Sequence, residues 1–266
     1  MAQPLPTYFI SHGGGPWPWL PDRRAMFAPL EASLAAMPSE LAERPRAILM
    51  ISGHWEADSY RVMAAPNPPM VYDYYNFPPH TYEVTYPAPG APDLARRAAE
   101  LIRAAGLPSE LDTTQGFDHG TFAPLAIMYP DADMPVFQVS LRHGYDPAEH
   151  MALGRALAPL REEGVLIVGS GLSYHNLRLM GPEAREPSEA FDGWLNHALT
   201  QPPETRTDLI LNWEQAPHAR TCHAEEDHFA PLFVALGAAE QAETTQVYHQ
   251  KEVFGGMTAS GFRFDG

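Results

Sequence analysis

Short apolar runs and longer stretches of helical periodicity alternate along most of the chain. The apolar runs are rich in Val, Ile and Phe and are bounded by Pro, Gly or charged residues, which is typical of buried strands. Strands are predicted over Thr7–Ile10, Arg46–Ser52, Pro135–Leu141 and Gly164–Gly169, with two more over Thr244–Gln250 and Met257–Phe264.

Amphipathic segments between these runs predict helices, the first of them capped by Asp22 and the third opening on Asp146. Strands that alternate with helices indicate an α/β fold with a largely parallel sheet and helices on both faces. No linker, repeat or low-complexity tract interrupts residues 1–266, so a single domain is expected. The predicted helices are Asp22–Met37, Ala91–Ala105, Pro147–Glu163, Ser188–Leu199 and Glu226–Leu236.

The longest irregular stretch runs from Ala65 to Gly90, where seven prolines disfavour regular structure over most of its length. It also carries five tyrosines and a phenylalanine. Long ordered loops in compact domains are usually functional, so this one is predicted to form a wall or lid over a site for an aromatic ligand. The alternative is a packing loop whose tyrosines cover the sheet.

Composition and charge limit the partners and the kind of metal site that the chain can have. A formal net charge of -16 disfavours nucleic acid or an anionic membrane as partner, and no apolar run approaches the roughly 20 residues that span a bilayer. No secretory signal is visible, so a cytoplasmic location is expected. The single cysteine, Cys222, excludes an internal disulfide and a cysteine-rich zinc module, so a metal site would depend on histidines and carboxylates.

Three histidines follow the ends of predicted strands: His12 in SHGGG, His54 in SGHWE and His175 in SYHN. Ligands of open α/β sheets bind outside the carboxyl ends of strands, so these side chains are expected to converge. Neutral imidazole is a common ligand of Zn, Fe and Cu. A lone histidine at a strand end is more often structural, and the glycines after His12 could instead cradle a phosphate, although no phosphate-loop spacing is present.

Two further histidines lie beside acids. His119 follows Asp118 in a glycine-bounded turn, where the carboxylate could orient the imidazole. His228 follows Glu225, Glu226 and Asp227 at a predicted helix start, where acids alone would indicate capping and solvation. Together with His12 and His54, this segment could supply a third histidine or a carboxylate to one metal. The segments that carry His143, His150, His197 and His249 are predicted to face solvent.

Seven sequence motifs extend over nearly the whole chain: SHGGGPW, ISGHWE, YPAPG, GFDHGTFAPL, YPDADMPVFQVSL, GSGLSYHNLR and DHFAPLFVALGA. With these motifs in the expected order, the chain resembles the class III extradiol ring-cleavage dioxygenases, in the branch related to 4,5-DOPA dioxygenase. It implies one α/β domain with a mixed central sheet, and an oxidoreductase that inserts both atoms of O2 into a catechol to give a semialdehyde.

The resemblance also implies roles for individual residues. His12, His54 and His228 become metal ligands, and His175 becomes an acid–base residue or a further ligand. His119 becomes a second acid–base or oxygen-positioning histidine. Asp227 or Glu225 in place of His228 would restore the usual facial triad of non-haem iron. Substrate contacts are expected from Trp55, Tyr75, Phe77, His80, Tyr82 and His218.

Three neutral imidazoles suit both Fe(II) and Zn(II), but zinc has no accessible redox chemistry. Fe(II) is therefore the cofactor expected for activity, and Zn(II) an alternative occupant of the isolated protein. The expected partners are a small catechol and O2, with oligomeric state open. The rival functions are a zinc hydrolase or other Lewis-acid enzyme, and a non-catalytic binding protein of the same fold.

Overall fold

The computed structural model describes residues 4–265, which form a mixed central sheet between layers of helices. The strands are β1 (Thr7–Ser11), β2 (Ala47–Ser52), β3 (Glu56–Ala57), β4 (Tyr60–Met63), β5 (Ser109–Asp112), β6 (Val136–Gln138), β7 (Leu141–Arg142), β8 (Val165–Gly171), β9 (Glu243–Val253) and β10 (Met257–Asp265). The α-helices are α1 (Pro21–Met26), α2 (Ala28–Glu40), α3 (Pro92–Ala104), α4 (His119–Met128), α5 (Pro147–Leu157), α6 (Pro159–Glu162), α7 (Arg185–Leu199), α8 (Pro203–Leu211), α9 (Ala219–Cys222) and α10 (Ala230–Ala238).

The central sheet has the strand order β6-β2-β8-β1-β10-β9. Its first four strands are parallel, while β10 runs antiparallel to β1 and β9 antiparallel to β10. Strands β1, β2 and β8 are buried along their whole length, as expected of strands covered on both faces. The predicted α/β class and largely parallel sheet are confirmed.

Consecutive residues at the end of β8 face opposite helix layers. A Cβ atom on Gly169 would lie 2.3 Å from the Pro231 carbonyl oxygen of α10. On the other face, the Ser170 hydroxyl donates to the Gly120 carbonyl oxygen of α4. Successive strand residues point to opposite faces, so α10 and α4 cover the two sides of this strand.

Two predicted helices are divided where proline interrupts the backbone. Asp22–Met37 becomes α1 and α2, because Pro29 has no N–H and its ring would clash inside a continuous helix. Pro159 divides Pro147–Glu163 into α5 and α6 in the same way. The prediction that Asp22 caps the first helix is wrong, since the cap residue is Leu20 and Asp22 lies in the first turn.

The other predicted elements shift at their ends. The strand predicted over Pro135–Leu141 divides into β6 and β7, which belong to different sheets. The helix predicted over Glu226–Leu236 begins only at Ala230, and the acidic residues before it lie in a turn. The 65–90 loop contains one 3-10 turn, Pro79–Tyr82, and is otherwise irregular as predicted.

The prediction that His150 faces solvent is wrong, because its side chain is buried. Its Nδ1 donates to the Asp146 carbonyl oxygen at 2.8 Å, and its Nε2 accepts from the Arg142 amide at 3.1 Å. Both ring nitrogens are used in holding the start of α5 to β7.

In the part of the chain that the structure describes, no helix is long and apolar enough to cross a membrane.

Candidate metal centre and active site

Strands β1 and β2, which lie on either side of β8, bring His12 and His54 to the same edge of the sheet. In the register of the sheet, Ser11 of β1 pairs with Gly171 of β8, and Ser52 of β2 pairs with Ser170. The two histidines therefore follow strands that end level with each other on either side of β8, as the carboxyl-end rule predicts.

Glycine is required where the His12 segment leaves β1. Gly13 has φ +78°, and a Cβ atom there would lie 2.5 Å from the Trp17 indole. The indole Nε1 donates to the His12 carbonyl oxygen at 2.8 Å. The buried Trp17 thus packs directly on this turn and holds the His12 backbone in place.

His228 reaches the same point from the segment that leads into α10. A Cβ atom on Gly171 would lie 2.0 Å from the His228 carbonyl oxygen, and one on Gly53 would lie 2.8 Å from the Asp227 carbonyl oxygen. The Leu172 amide donates to the His228 carbonyl oxygen at 2.9 Å. Small residues on two strands therefore let this segment lie directly against the sheet edge.

The Nε2 atoms of the three histidines meet. His54 Nε2 lies 3.2 Å from His12 Nε2 and 3.1 Å from His228 Nε2. At a metal–nitrogen distance of about 2.1 Å, donors separated in this way subtend about 100° at a metal, between the octahedral and tetrahedral angles. The spacing fits one ion shared by three imidazoles.

The hydrogen bonds of the opposite ring nitrogens fix the tautomers. His228 Nδ1 donates to Asp227 Oδ2 at 2.7 Å, and His54 Nδ1 faces Asp73 Oδ2 at 3.3 Å. His12 Nδ1 lies 3.2 Å from the Ser170 hydroxyl oxygen, whose own proton is directed to a carbonyl. Each Nδ1 therefore carries the proton, and each Nε2 presents a lone pair.

Burial keeps these rings neutral. It holds the pKa of His12 and His54 well below the usual range, and the neighbouring histidines lower both further. Burial also lowers the pKa of His228 to about 4, although the hydrogen bond to Asp227 opposes the shift. Three lone pairs that face one another at such short range repel unless a cation lies between them. The donor set thus fits a divalent metal.

His175 and His119 flank this centre. The His175 ring stacks on His228 with centroids 3.5 Å apart, and the His119 ring lies 3.9 Å from that of His54. His175 Nδ1 lies 3.3 Å from Asp227 Oδ1, and His119 Nδ1 donates to Asp73 Oδ1 at 2.9 Å. With both Nδ1 atoms held by carboxylates, each Nε2 is free to accept a proton.

Asp73 and Asp227 make equivalent contacts to the histidines. Each carboxylate uses one oxygen for a member of the three-histidine set and the other oxygen for a flanking histidine. Burial raises the pKa of Asp227, but the hydrogen bonds from His175 and His228 outweigh it and hold that pKa well below the usual range. Asp227 is therefore an anion that orients imidazoles. Glu225 is exposed, so the geometry favours His228 as the third donor.

The prediction that Asp118 orients His119 is wrong. Asp118 caps α4 by accepting from the Thr121 amide, and it also accepts from the Ser52 hydroxyl at 2.7 Å. Burial raises the pKa of Asp118 to about 6, and the charge of Asp73 adds to the shift. Asp118 therefore stabilises the start of α4, and the carboxylate that binds the His119 ring belongs to Asp73, 46 residues away in sequence.

A cavity of about 360 Å³ opens over all five histidines. Tyr75 and Phe77 of the 65–90 loop line it, together with Tyr74. The lining also includes residues that the sequence analysis did not single out, among them Arg23, Leu177, Met180 and Phe254. An aromatic and aliphatic lining with few polar groups is typical of small-molecule sites.

The structure places the other expected substrate contacts outside this lining. Trp55 is buried in the core, and Tyr82 lies behind Tyr74, to whose carbonyl its hydroxyl donates. His80 is exposed and its Nε2 contacts the Trp19 carbonyl, while His218 forms an ion pair with Glu186. Tyr82, His80 and His218 therefore have partners outside the cavity, and Trp55 packs in the core.

Comparison with known proteins agrees with this arrangement. Residues 7–265 match the family described as the catalytic LigB subunit of aromatic ring-opening dioxygenase. The chain is 37% identical to 4,5-DOPA dioxygenase extradiol of Beta vulgaris, over 97% of this chain and 96% of that protein. It is 38% identical to dioxygenase tasH of Hapsidospora irregularis, over 91% and 81% of the two chains.

A solved structure has the same fold. The crystal structure of an uncharacterized Escherichia coli K12 protein superposes with a TM-score of 0.78 and 29% sequence identity, covering 98% of this chain and 99% of the other. The chain therefore belongs to the LigB family of aromatic ring-opening dioxygenases and is an extradiol dioxygenase of class III.

Proposed function

We propose that this protein is an Fe(II)-dependent dioxygenase that opens a catechol ring with O2 to give a semialdehyde. The observation that carries the proposal is the position of His54 Nε2, which lies 3.2 Å from His12 Nε2 and 3.1 Å from His228 Nε2, in a cavity that two further histidines also line. Family membership supports the reaction class, and the short distances between the three imidazole nitrogens support the metal.

His12, His54 and His228 would hold the metal through Nε2. Fe(II), when bound there, supplies the redox chemistry that lets an aromatic diol react with O2, which Zn(II) on the same donors does not supply. Three neutral ligands leave the full charge of the dication in the site. The site therefore favours a deprotonated, anionic diol over a neutral phenol.

His175 is the proposed acid–base residue. Its Nδ1 is held by Asp227, so its Nε2 is the nitrogen that takes a proton from a diol hydroxyl and later returns it. Stacking on His228 keeps the ring next to the metal ligand as the proton moves. The negative charge of Asp227 stabilises the imidazolium that forms in between.

His119 is proposed to position O2 from the opposite side. Asp73 receives both the backbone amide and the Nδ1 of His119, at 3.0 and 2.9 Å, which leaves the ring little freedom. Its Nε2 can hold a proton near the reacting oxygen atoms. The aromatic wall of Tyr74 and Phe77 excludes water and offers a flat face to the substrate ring.

Anaerobic reconstitution tests the proposal. Metal-free protein is loaded with Fe(II) or Zn(II), a panel of catechols and then air are added, and O2 uptake and visible absorbance are recorded. O2 uptake with a new yellow chromophore under Fe(II) alone is the expected result. Turnover with Zn(II) in the absence of O2 would favour a Lewis-acid enzyme, and stoichiometric metal binding without any turnover would favour a non-catalytic protein.

A further inference from the structure

One cationic side chain lines the cavity. Of the described residues that form its wall, Arg23 is the only arginine or lysine. Its guanidinium lies over the Phe254 ring, 4.7 Å from the centroid. Among residues 4–265 no carboxylate pairs with it, whereas the next residue, Arg24, is paired through Nε and Nη2 with Glu31. Arg23 therefore brings an uncompensated positive charge to the site.

The ring below Arg23 is firmly placed. Phe254 lies in the turn between β9 and β10 with φ +51°, a left-handed conformation that a bulky residue keeps only where its surroundings hold it. Glu252 in the same turn is paired bidentately with Arg185 at 2.7 and 2.8 Å. Phe27 packs against the Phe254 ring edge to face, with centroids 5.8 Å apart. Arg23 thus rests on a fixed aromatic surface.

This surface is close to the metal centre along the chain. A Cβ atom on Gly14 would lie 3.4 Å from the Phe254 ring, and Gly14 is two residues from His12. Two residues span at most about 7 Å. Arg23, Phe254 and the five histidines line the same cavity, so the substituent of a ring held at the histidines can extend toward Arg23.

The cavity offers no matching partner for a substrate cation. Asp73 is the only carboxylate among the described lining residues, and its two oxygens are used by His54 and His119. An ammonium group would therefore be desolvated near Arg23 and near a metal dication without a free counter-ion, which is costly.

We propose that Arg23 is the specificity-determining residue of the reaction proposed above, on which this inference rests. It selects catechols whose short side chain ends in a carboxylate. Guanidinium recognises carboxylate through two parallel hydrogen bonds, and stacking on Phe254 leaves the edge of the fork free to make them. The same side chain with an α-amino group, as in DOPA, is bound less well.

Isothermal titration calorimetry on the Zn(II)-loaded protein under nitrogen tests the proposal without requiring turnover. The probes are dihydroxyphenylpropanoate, its methyl ester and DOPA, which share one skeleton. Wild type is expected to bind the acid about tenfold or more tightly than the ester, and to bind the acid more tightly than DOPA. Arg23→Gln should bring the acid-to-ester ratio close to one and leave the ester Kd unchanged. Arg23→Lys should restore part of the preference.

Arg24→Gln is the matched control and should leave every Kd at the wild-type value, and equal zinc content and Tm show that the variants fold. An unchanged acid-to-ester ratio in Arg23→Gln, or DOPA binding as tightly as the acid, would overturn the inference. If Arg23 distinguishes the acid from the ester but the Fe(II)-loaded protein takes up no O2, only the proposed reaction is contradicted. If the ring is cleaved but the acid and the ester bind equally well, only this inference is contradicted.

Discussion

At the scale of single residues, two carboxylates organise the chemistry of five histidines. Asp73 and Asp227 each contact the Nδ1 atoms of two histidines, one proposed metal ligand and one flanking histidine. One carboxylate therefore sets the tautomer of two rings. Outer partners of this kind set ring orientation and ligand basicity. Sequence reasoning missed Asp73, because nothing in an irregular loop indicates which way an acid points.

Substitution of a flanking histidine should lower activity without removing the metal, unlike substitution of a metal ligand. His175→Ala is expected to keep the metal while kcat falls about 10²- to 10⁴-fold, the usual range for general acid–base catalysis. His119→Ala should keep the metal and slow the reaction less. Metal analysis and steady-state kinetics on the same samples check both variants. If His175→Ala loses its metal, that residue is a fourth ligand.

Removal of the charge of Asp73 or Asp227 should weaken metal binding, because each carboxylate orients an imidazole that binds the metal. Asp73→Asn and Asp227→Asn are each expected to lower metal affinity about 10- to 100-fold, measured by competition with a chelator. Asp227→Asn should also lower kcat in metal-saturated protein, because His175 loses the anion that orients it. Asp58→Asn, at a fully exposed carboxylate, is the control. Affinity equal to wild type in both variants would show that the carboxylates do not support the ligands.

At the scale of elements, the ends of β1, β2 and β8 create the site. Apolar runs indicate these strands, and the carboxyl-end rule predicts from the sequence that His12 and His54 lie together. The helices were predicted less accurately, because Pro29 and Pro159 divide them. The two-residue strands β3 and β7 are too short to leave a pattern, and the tertiary contact of Gly171 with His228 has no local signal.

Close packing at the end of β8 is expected to be necessary for the metal centre. Gly171→Ala would force a Cβ atom against the His228 carbonyl, so the variant should lose stability and metal together. Gly193→Ala, inside α7 with no heavy atom near its Cβ position, should instead gain about 1 kcal/mol of unfolding free energy. Urea titration and metal analysis compare the two. Full metal content in Gly171→Ala would contradict the proposed packing.

At the scale of the whole molecule, the fold keeps several imidazoles buried and neutral within an acidic protein. His223 lies in an aromatic cluster with Phe191, Trp213 and Phe229, and burial lowers its pKa to about 3. Its Nε2 donates to the Ser173 carbonyl oxygen. No motif around His223 indicates this burial, because it depends on packing between residues that are distant in sequence.

This burial predicts acid sensitivity with a defined sign. The unfolded chain protonates His223 near pH 6.5, but the folded protein does so only near pH 3, so the unfolded state binds more protons between these values. The unfolding free energy of metal-free protein should therefore fall as pH falls from about 6.5. His223→Gln should reduce that slope by about 1.4 kcal/mol per pH unit, in urea titrations at several pH values. An unchanged slope, or an equal effect of His197→Gln at an exposed site, would contradict the account.

Isotope labelling tests the central claim most directly. Fe(II)-loaded protein is allowed to turn over a catechol under ¹⁸O2, and the products are analysed by mass spectrometry, with His175→Ala run in parallel. We expect both labelled oxygen atoms in one ring-opened semialdehyde from the wild type, and little product from the variant. A quinone without label, or a ring-opened product without any label, would contradict a ring-cleaving dioxygenase; loss of one label from the aldehyde would not, because its oxygen exchanges with water.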